Sequence, residues 1–325
     1  MNRRDSVLAL LALGTAPFTT RARHARKLPK IGFLFAGTIA LRPQVEAFHQ
    51  ALKALGYVEG QNLVLDERYA DGKFERLPSL VRDLIQRNPD AMLVATTPGN
   101  LAAKTATSTI PIVFVLVADP VGAGIVPKLA RQGGNITGIT NIVAELAGKR
   151  LEILKEIVPK ATRIGVMVNS NNQNTPLQMR YAEEGARRLG IKLEPILDVR
   201  TPDDLEKAFE VADKARVPAV LRMVDPLVFM LRKQTAALAA KYQLPMIYTS
   251  REDVENGGLV AYGANDPEQF RQAAALMDKI LRGAKPGDLP VEQPTRFDLV
   301  INMRTVKALK LTIPPSLMLR ADVIE

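Results

Sequence analysis

Five times along this chain an apolar, strand-like run stops on a small polar residue, and a proline, a glycine or further polar residues open the next helix. The five are Thr96-Thr97-Pro98-Gly99, Asp119-Pro120, Asn169-Ser170-Asn171, Asp225-Pro226 and Thr249-Ser250-Arg251. In an open parallel α/β sheet such residues gather at the carboxyl ends of the strands, the edge where ligands bind. The spacing between them predicts strands at 31–36, 63–69, 91–95 and 112–117, with helices at 43–55, 74–87, 99–107 and 121–132. Gly133-Gly134-Asn135 ends that series, and 136–141 is an extended segment.

A second series follows, with helices at 145–157, 176–189, 202–215 and 227–242 alternating with strands at 163–168, 192–197, 219–223, 246–248 and 259–261. Repeated βα units call for a parallel sheet covered on both faces. A further helix at 267–281, a turn-rich stretch, a strand at 297–302 and a short helix at 304–309 lie beyond the second series, so the chain is expected to cross between the lobes more than once. The expected fold class is therefore α/β, with two doubly wound parallel-sheet lobes joined by a multi-strand hinge. Lobe one takes 28–140 plus 263–292, and lobe two takes 141–262 plus 293–325.

Residues 1–27 read as an export leader ahead of this fold. Arg3-Arg4 is a charged segment, 7–16 (VLALLALGTA) a short apolar one, and Thr20-Arg21-Ala22 offers small residues for cleavage. About ten apolar residues are too few to span a bilayer, which needs about twenty. The arginine pair resembles a twin-arginine signal but no Phe follows Asp5-Ser6, so the twin-arginine and Sec routes both stay open. The sequence has no cysteine, which leaves neither a lipid attachment site nor a disulfide framework. A free periplasmic protein with its signal cleaved near residue 23 is expected.

The net charge of +10 invites a nucleic-acid reading, yet the leader holds six basic residues against one acid and so supplies half of it. The rest mixes signs along its helices, as solvated faces do. Catalytic chemistry finds little support. The histidines are His24, in the leader, and His49, within a helix, where packing is the simpler role. Ser170 and Ser250 end strands outside any G-x-S-x-G turn. Gly37 stands alone after the first strand, and Gly122-Ala123-Gly124 has no third glycine, so no dinucleotide fingerprint is present. No cofactor or metal is expected.

Several stretches carry a family resemblance: LGYVEGQNL (55–63), RLPSLVRDLI (76–85), IPIVFVLVADPVGAGIV (110–126), GGNITGI (133–139) and KRLEILKEIVPKATRIGVMVN (149–169). MVDPLV (223–228), YTSREDVENGGLVAYG (248–263), KILRGAKPGDLPVEQPT (279–295) and LTIPPSLMLRADVIE (311–325) add to it. They resemble the substrate-binding proteins of one ABC-importer family, which includes tryptophan/tyrosine-type solute receptors with a type I periplasmic-binding-protein fold. The resemblance covers essentially everything after residue 28. It implies a solute receptor that performs no reaction, serves a permease in the inner membrane and works as a monomer.

A solute cleft needs residues from both lobes. Thr97 can cap the helix that Pro98 opens, or, with backbone amides near Gly99 and Asn100, meet a carboxylate. Asp119 and Asp225, one from each lobe, are candidates for a solute ammonium; each is equally a common turn residue before proline. Asn169 offers both donor and acceptor, Tyr248 and Tyr262 can stack on a ring or pack in the core, and Ser250 ends a strand. Arg251 can pair with a solute carboxylate or with Glu252 or Asp253. The expected solute is an amino acid or an aromatic or carboxylate compound. The alternatives are an α/β enzyme acting on a small carboxylate and the ligand-sensing domain of a regulatory system.

Overall fold

Two sheets, each wound on both faces by helices, organise the chain, and the computed structural model describes residues 28–37, 42–130, 133–172 and 174–325. The expected leader lies outside those residues. The first sheet holds β1 (Lys30–Phe35), β2 (Val64–Tyr69), β3 (Ala91–Ala95), β4 (Ile112–Val117) and β5 (Ile136–Thr140). Its helices are α1 (Arg42–Ala54), α2 (Leu77–Gln86) and α3 (Thr97–Ala106). The second half runs α4 (Ala147–Ile157), β6 (Arg163–Val168), α5 (Thr175–Leu189), β7 (Lys192–Asp198), α6 (Asp204–Lys214), β8 (Val220–Arg222), α7 (Pro226–Met230) and α8 (Arg232–Lys241). It continues through β9 (Met246–Tyr248), α9 (Arg251–Glu255), β10 (Val260–Ala264), α10 (Asp266–Leu281), β11 (Phe297–Asn302), α11 (Met303–Ala308), α12 (Pro315–Met318) and β12 (Asp322–Ile324).

The first sheet is all parallel in the order β2-β1-β3-β4-β5, and the second runs β12-β11-β10-β9-β8-β6-β7. Central strands such as β3 (AMLVA) are buried at every residue, which is why they read as continuous apolar runs rather than as alternating ones. In both sheets the strand order reverses, between β1 and β3 in the first and between β6 and β8 in the second. A crevice opens at such a reversal because the two flanking connections leave in opposite directions.

α10 follows β10 of the second sheet but packs on the first. Phe270, Ala273, Ala274, Met277 and Ile280 form its buried stripe, against Ile31, Phe33, Val113 and Ile139. The chain then returns to β11, entering from the crossing side, and β11 pairs antiparallel with β10. That corrects the expectation of wholly parallel sheets, and the physical reason is the excursion: a strand reached from the other lobe starts where its neighbour ended.

Three crossings therefore join the sheets, and they are tied to one another. Thr140 N–H donates to Glu292 C=O at 3.0 Å, Glu292 N–H to Gly138 C=O at 2.9 Å, and Asn265 N–H to Arg296 C=O at 3.0 Å. Arg150, fully buried, bridges two crossings by donating Nε to Tyr262 C=O at 2.8 Å and Nη2 to Val143 C=O at 3.0 Å. Gly263 is obligatory there, because a Cβ would lie 2.0 Å from the Thr249 carbonyl oxygen.

The helix expected at 121–132 does not form over the described residues 121–130, which make turns. Pro127 lacks an N–H, Gly124 takes φ +69°, and the N–H groups of Ile125 and Val126 both converge on the Pro120 carbonyl, at 2.9 and 3.0 Å. The helix expected at 227–242 breaks at Leu231 into α7 and α8.

Candidate ligand-binding cleft

A cavity of about 570 Å³ lies where the carboxyl ends of the two sheets face each other. From the first sheet it is bordered by Phe35 at the end of β1 and Gly37 after it, Thr96 and Thr97 after β3, and Leu116 and Ala118 at the end of β4. The second contributes Asn169 after β6, Arg222 at the end of β8 and Asp225 after it, and Thr249 and Ser250 after β9, while Asn141, Ala264 at the end of β10 and Asp266 lie at the crossings. A larger depression, of about 1080 Å³, lies at the opposite end of the first sheet around Leu28, Tyr57 and Lys285. Ligands of open α/β sheets bind at the carboxyl ends of the strands, so the smaller cavity is the functional candidate.

Of the residues expected from sequence, Thr97, Asn169, Asp225 and Ser250 border this cavity together. Gly99, Asp119, Tyr248 and Tyr262 do not. Gly99 is buried in α3, where a Cβ would press on Val94 at 3.3 Å. Asp119 spends Oδ1 on the Gly122 N–H at 2.7 Å, holding the turn that replaces the expected helix. Tyr248, 1% exposed, packs in the second lobe's core beneath the guanidinium of Arg222, whose Cζ is 5.4 Å from the ring centre. Tyr262 stacks on Phe297 with ring centres 6.3 Å apart. Arg251 pairs with Asp322, away from the cavity lining. His49 bonds Glu67 at 2.8 Å on the first lobe.

Each residue at the cavity is held by local structure. Thr97 is the first helical residue of α3 rather than its cap; the cap is Thr96, whose side chain makes no capping bond. Thr96 takes φ +74°, a conformation that a β-branched side chain adopts only under strain, at about 1–3 kcal/mol. Its carbonyl accepts from the backbone N–H of Asn100 at 3.1 Å and from Asn100 Nδ2 at 2.8 Å, so that amide is already spent. Asp225 caps α7 by accepting the Val228 N–H at 3.0 Å on Oδ1, and its Oδ2 accepts from Asn172 Nδ2 at 2.9 Å. Ser250 donates its hydroxyl to Asp253 at 2.9 Å.

Bordering residues that the sequence did not single out include Gln44, Thr96, Asn141, Arg222, Arg232 and Asp266. Arg222, 1% exposed, pairs through Nη2 with the fully buried Asp253 and donates to Thr249 Oγ1 at 2.9 Å; its Nε and Nη1 meet no acceptor among the described residues. A charged residue inside the apolar run at 219–223 was the signal available. Asp266-Pro267 repeats the acid-proline pattern of Asp225-Pro226 after β10, a sixth strand end of the same kind. Gln44 is one polar residue on a mostly buried helix face, which sequence does not distinguish.

The lobes touch across the cavity. Gln44 on α1 donates to Glu252 on α9 at 2.6 Å. Gly72, at φ +75°, lets Met230 of α7 approach so closely that a Cβ would lie 2.7 Å from its Sδ.

Two doubly wound lobes, three crossings and a cavity lined by both sides define a type I periplasmic-binding-protein fold. Residues 37–324 match the family described as ABC transporter substrate binding protein, and this chain belongs to it. It is similar to the tyrosine-binding protein of Clostridioides difficile (strain R20291), at 27% identity over 264 residues spanning 81% of this chain and 75% of that one. A conserved domain protein from Vibrio cholerae superposes with TM-score 0.85 at 30% identity, covering 92% of this chain and 100% of that one. The ABC domain from Streptococcus pneumoniae, solved in complex with L-Trp, superposes with TM-score 0.83 at 24% identity, covering 91% and 99%. The protein is thus the extracytoplasmic solute-binding component of an ABC transporter, a binding protein and not an enzyme.

Proposed function

We propose that this chain is a periplasmic receptor that captures an amino acid with an aromatic side chain between its lobes and delivers it, as a monomer, to an inner-membrane permease. The observation that carries this reading is the composition of the cavity wall. Phe35, Phe74, Leu101, Leu116, Phe229 and Met230 supply an apolar surface for a ring, and charged residues of both signs border the same space. A volume of about 570 Å³ falls in the range typical of small-molecule sites. The unpartnered guanidinium nitrogens of Arg222 and Arg232 suit a carboxylate, with Thr97 at the start of α3 facing the same cavity. Asp225 accepts a donor group of the solute. The tyrosine-binding relative and the tryptophan complex support the aromatic class.

A thermal-shift screen of the common amino acids, aromatic acids, sugars and polyols tests this. The protein's melting temperature is expected to rise with tyrosine, tryptophan or phenylalanine, since a ligand at a hundred times its dissociation constant adds about 2.7 kcal/mol. A shift produced only by sugars or polyols would remove the amino-acid assignment.

A further inference from the structure

Asp266 opens α10 directly after the second crossing and borders the cavity. Its Oδ1 accepts from Gln269 Nε2 at 2.9 Å, and among the described residues no donor meets its other oxygen. Gln44, 2% exposed, borders the same cavity. Its Nε2 donates to Glu252 Oε1 at 2.6 Å, which fixes the amide, because the reverse orientation would set oxygen against carboxylate. Gln44 Oε1 is therefore an acceptor, and no donor reaches it among the described residues. Asn141, 7% exposed, borders the cavity with its Oδ1 in the same condition. Buried acceptors without donors are costly, so this wall of the cavity calls for a group that only donates.

The charges facing Asp266 share one sign. They are Glu252 and Asp253 on α9 and Asp298 on β11. Arg222 offsets Asp253, while Asp298 holds Asn265 Nδ2 at 2.7 Å and Arg296 Nε at 3.5 Å. Burial first, then Glu252, Asp298 and Asp253, push the Asp266 carboxyl well above the usual carboxylate range. A primary ammonium fits such a place, with three donors, no acceptor and a positive charge. Asp225 fits it less well, since each of its oxygens already accepts a protein N–H.

We propose that Asp266 and Gln44 seat the primary ammonium of the solute, and that Asp225, where the sequence placed the ammonium, receives a different donor of the same molecule. This rests on the receptor reading above and deepens it. Because Gln44 lies on α1 and is bonded to α9 of the other lobe, an ammonium here also joins the two lobes at their contact. The ammonium favours the ionised form of Asp266, so its arrival expels a proton wherever the free protein holds Asp266 protonated. Affinity then rises with pH, by at most about tenfold per pH unit for one proton, and levels off above the raised value of Asp266.

Calorimetric titration with the common L-amino acids, tyrosine and tryptophan first, in two buffers of different ionisation enthalpy, reads this directly. The expected result is binding with release of up to one proton, affinity that increases as pH rises above the ordinary carboxylate range and then levels off, and weaker binding of the des-amino analogue with no proton released. Asp266→Asn is expected to abolish the release and to weaken binding about tenfold or more at the upper pH. Asp225→Asn is expected to keep the release. The two-buffer comparison on the unaltered protein stands even if a variant folds poorly. Amino-acid binding with equal heats in both buffers and no pH dependence would overturn the ammonium seat and leave the receptor reading intact, as would proton release that persists in Asp266→Asn or vanishes in Asp225→Asn. If no amino acid binds, the amino-acid reading and the seat fall together.

Discussion

Arg222→Met is expected to cost about 3–5 kcal/mol of folding stability, the largest loss among substitutions at the cleft. Arg222 and Asp253 are 1% and 0% exposed, and removing the guanidinium leaves a buried carboxylate that, among the described residues, keeps only the Ser250 N–H and hydroxyl, at 3.2 and 2.9 Å. The ring of Tyr248 also loses the cation above it. Urea denaturation measures the loss. The double change Arg222→Met with Asp253→Leu is expected to recover most of it, because an apolar pair of similar volume carries no desolvation cost. A single variant within about 1 kcal/mol of the parent would show that the pair behaves as a solvated one and that Arg222 is free to serve the ligand alone.

The second large effect is on binding. Asp225→Ala is expected to weaken the solute's affinity by about 1.5–3 kcal/mol, about 10- to 150-fold, through loss of a hydrogen bond to a charged acceptor. The same change removes the α7 cap, at about 1 kcal/mol of stability, while Asn172 Nδ2 falls back on the Val224 carbonyl at 3.4 Å. Asp225→Asn separates the two effects, since asparagine caps about as well as aspartate but carries no charge. Calorimetry on the alanine variant showing affinity within about twofold of the parent, well below the effect expected for a lost charged hydrogen bond, would remove Asp225 from the site.

The sheets were legible because their strands are buried on both faces and so read as unbroken apolar runs, each ended by a polar residue; 91–95, 112–117, 163–168 and 297–302 match the observed strands residue for residue. What failed was whatever depends on distant chain. Nothing local tells β11 to run against β10; that follows from α10 packing on the other lobe. At 121–132 apolar periodicity outweighed Gly124 and Pro127, although the backbone at both opposes a helix. At the cleft, polar residues just past strand ends were found by position, and position cannot tell a side chain turned into the cavity from one spent on its own turn. Asp225 does both, Asp119 closes its turn, and Tyr248 points into the core. Arg222 and Asp266 were visible as residues, but their meaning lies in Asp253, Glu252 and Asp298, far away in sequence or on other elements.

Capture between lobes requires that the solute hold the closed form through contacts it makes better there than in the open one. On this account the cross-lobe bond from Gln44 to Glu252 and the approach of Met230 to Gly72 belong to the closed form, and rotation about the three crossings is expected to break them while the sheets stay packed. Small-angle X-ray scattering of the protein alone and saturated with the amino acid that gives the largest thermal shift tests this most directly. The radius of gyration is expected to fall and the distance distribution to lose its longest vectors when the solute is added. Identical curves at saturation, with binding confirmed by calorimetry in the same sample, would contradict capture by closure.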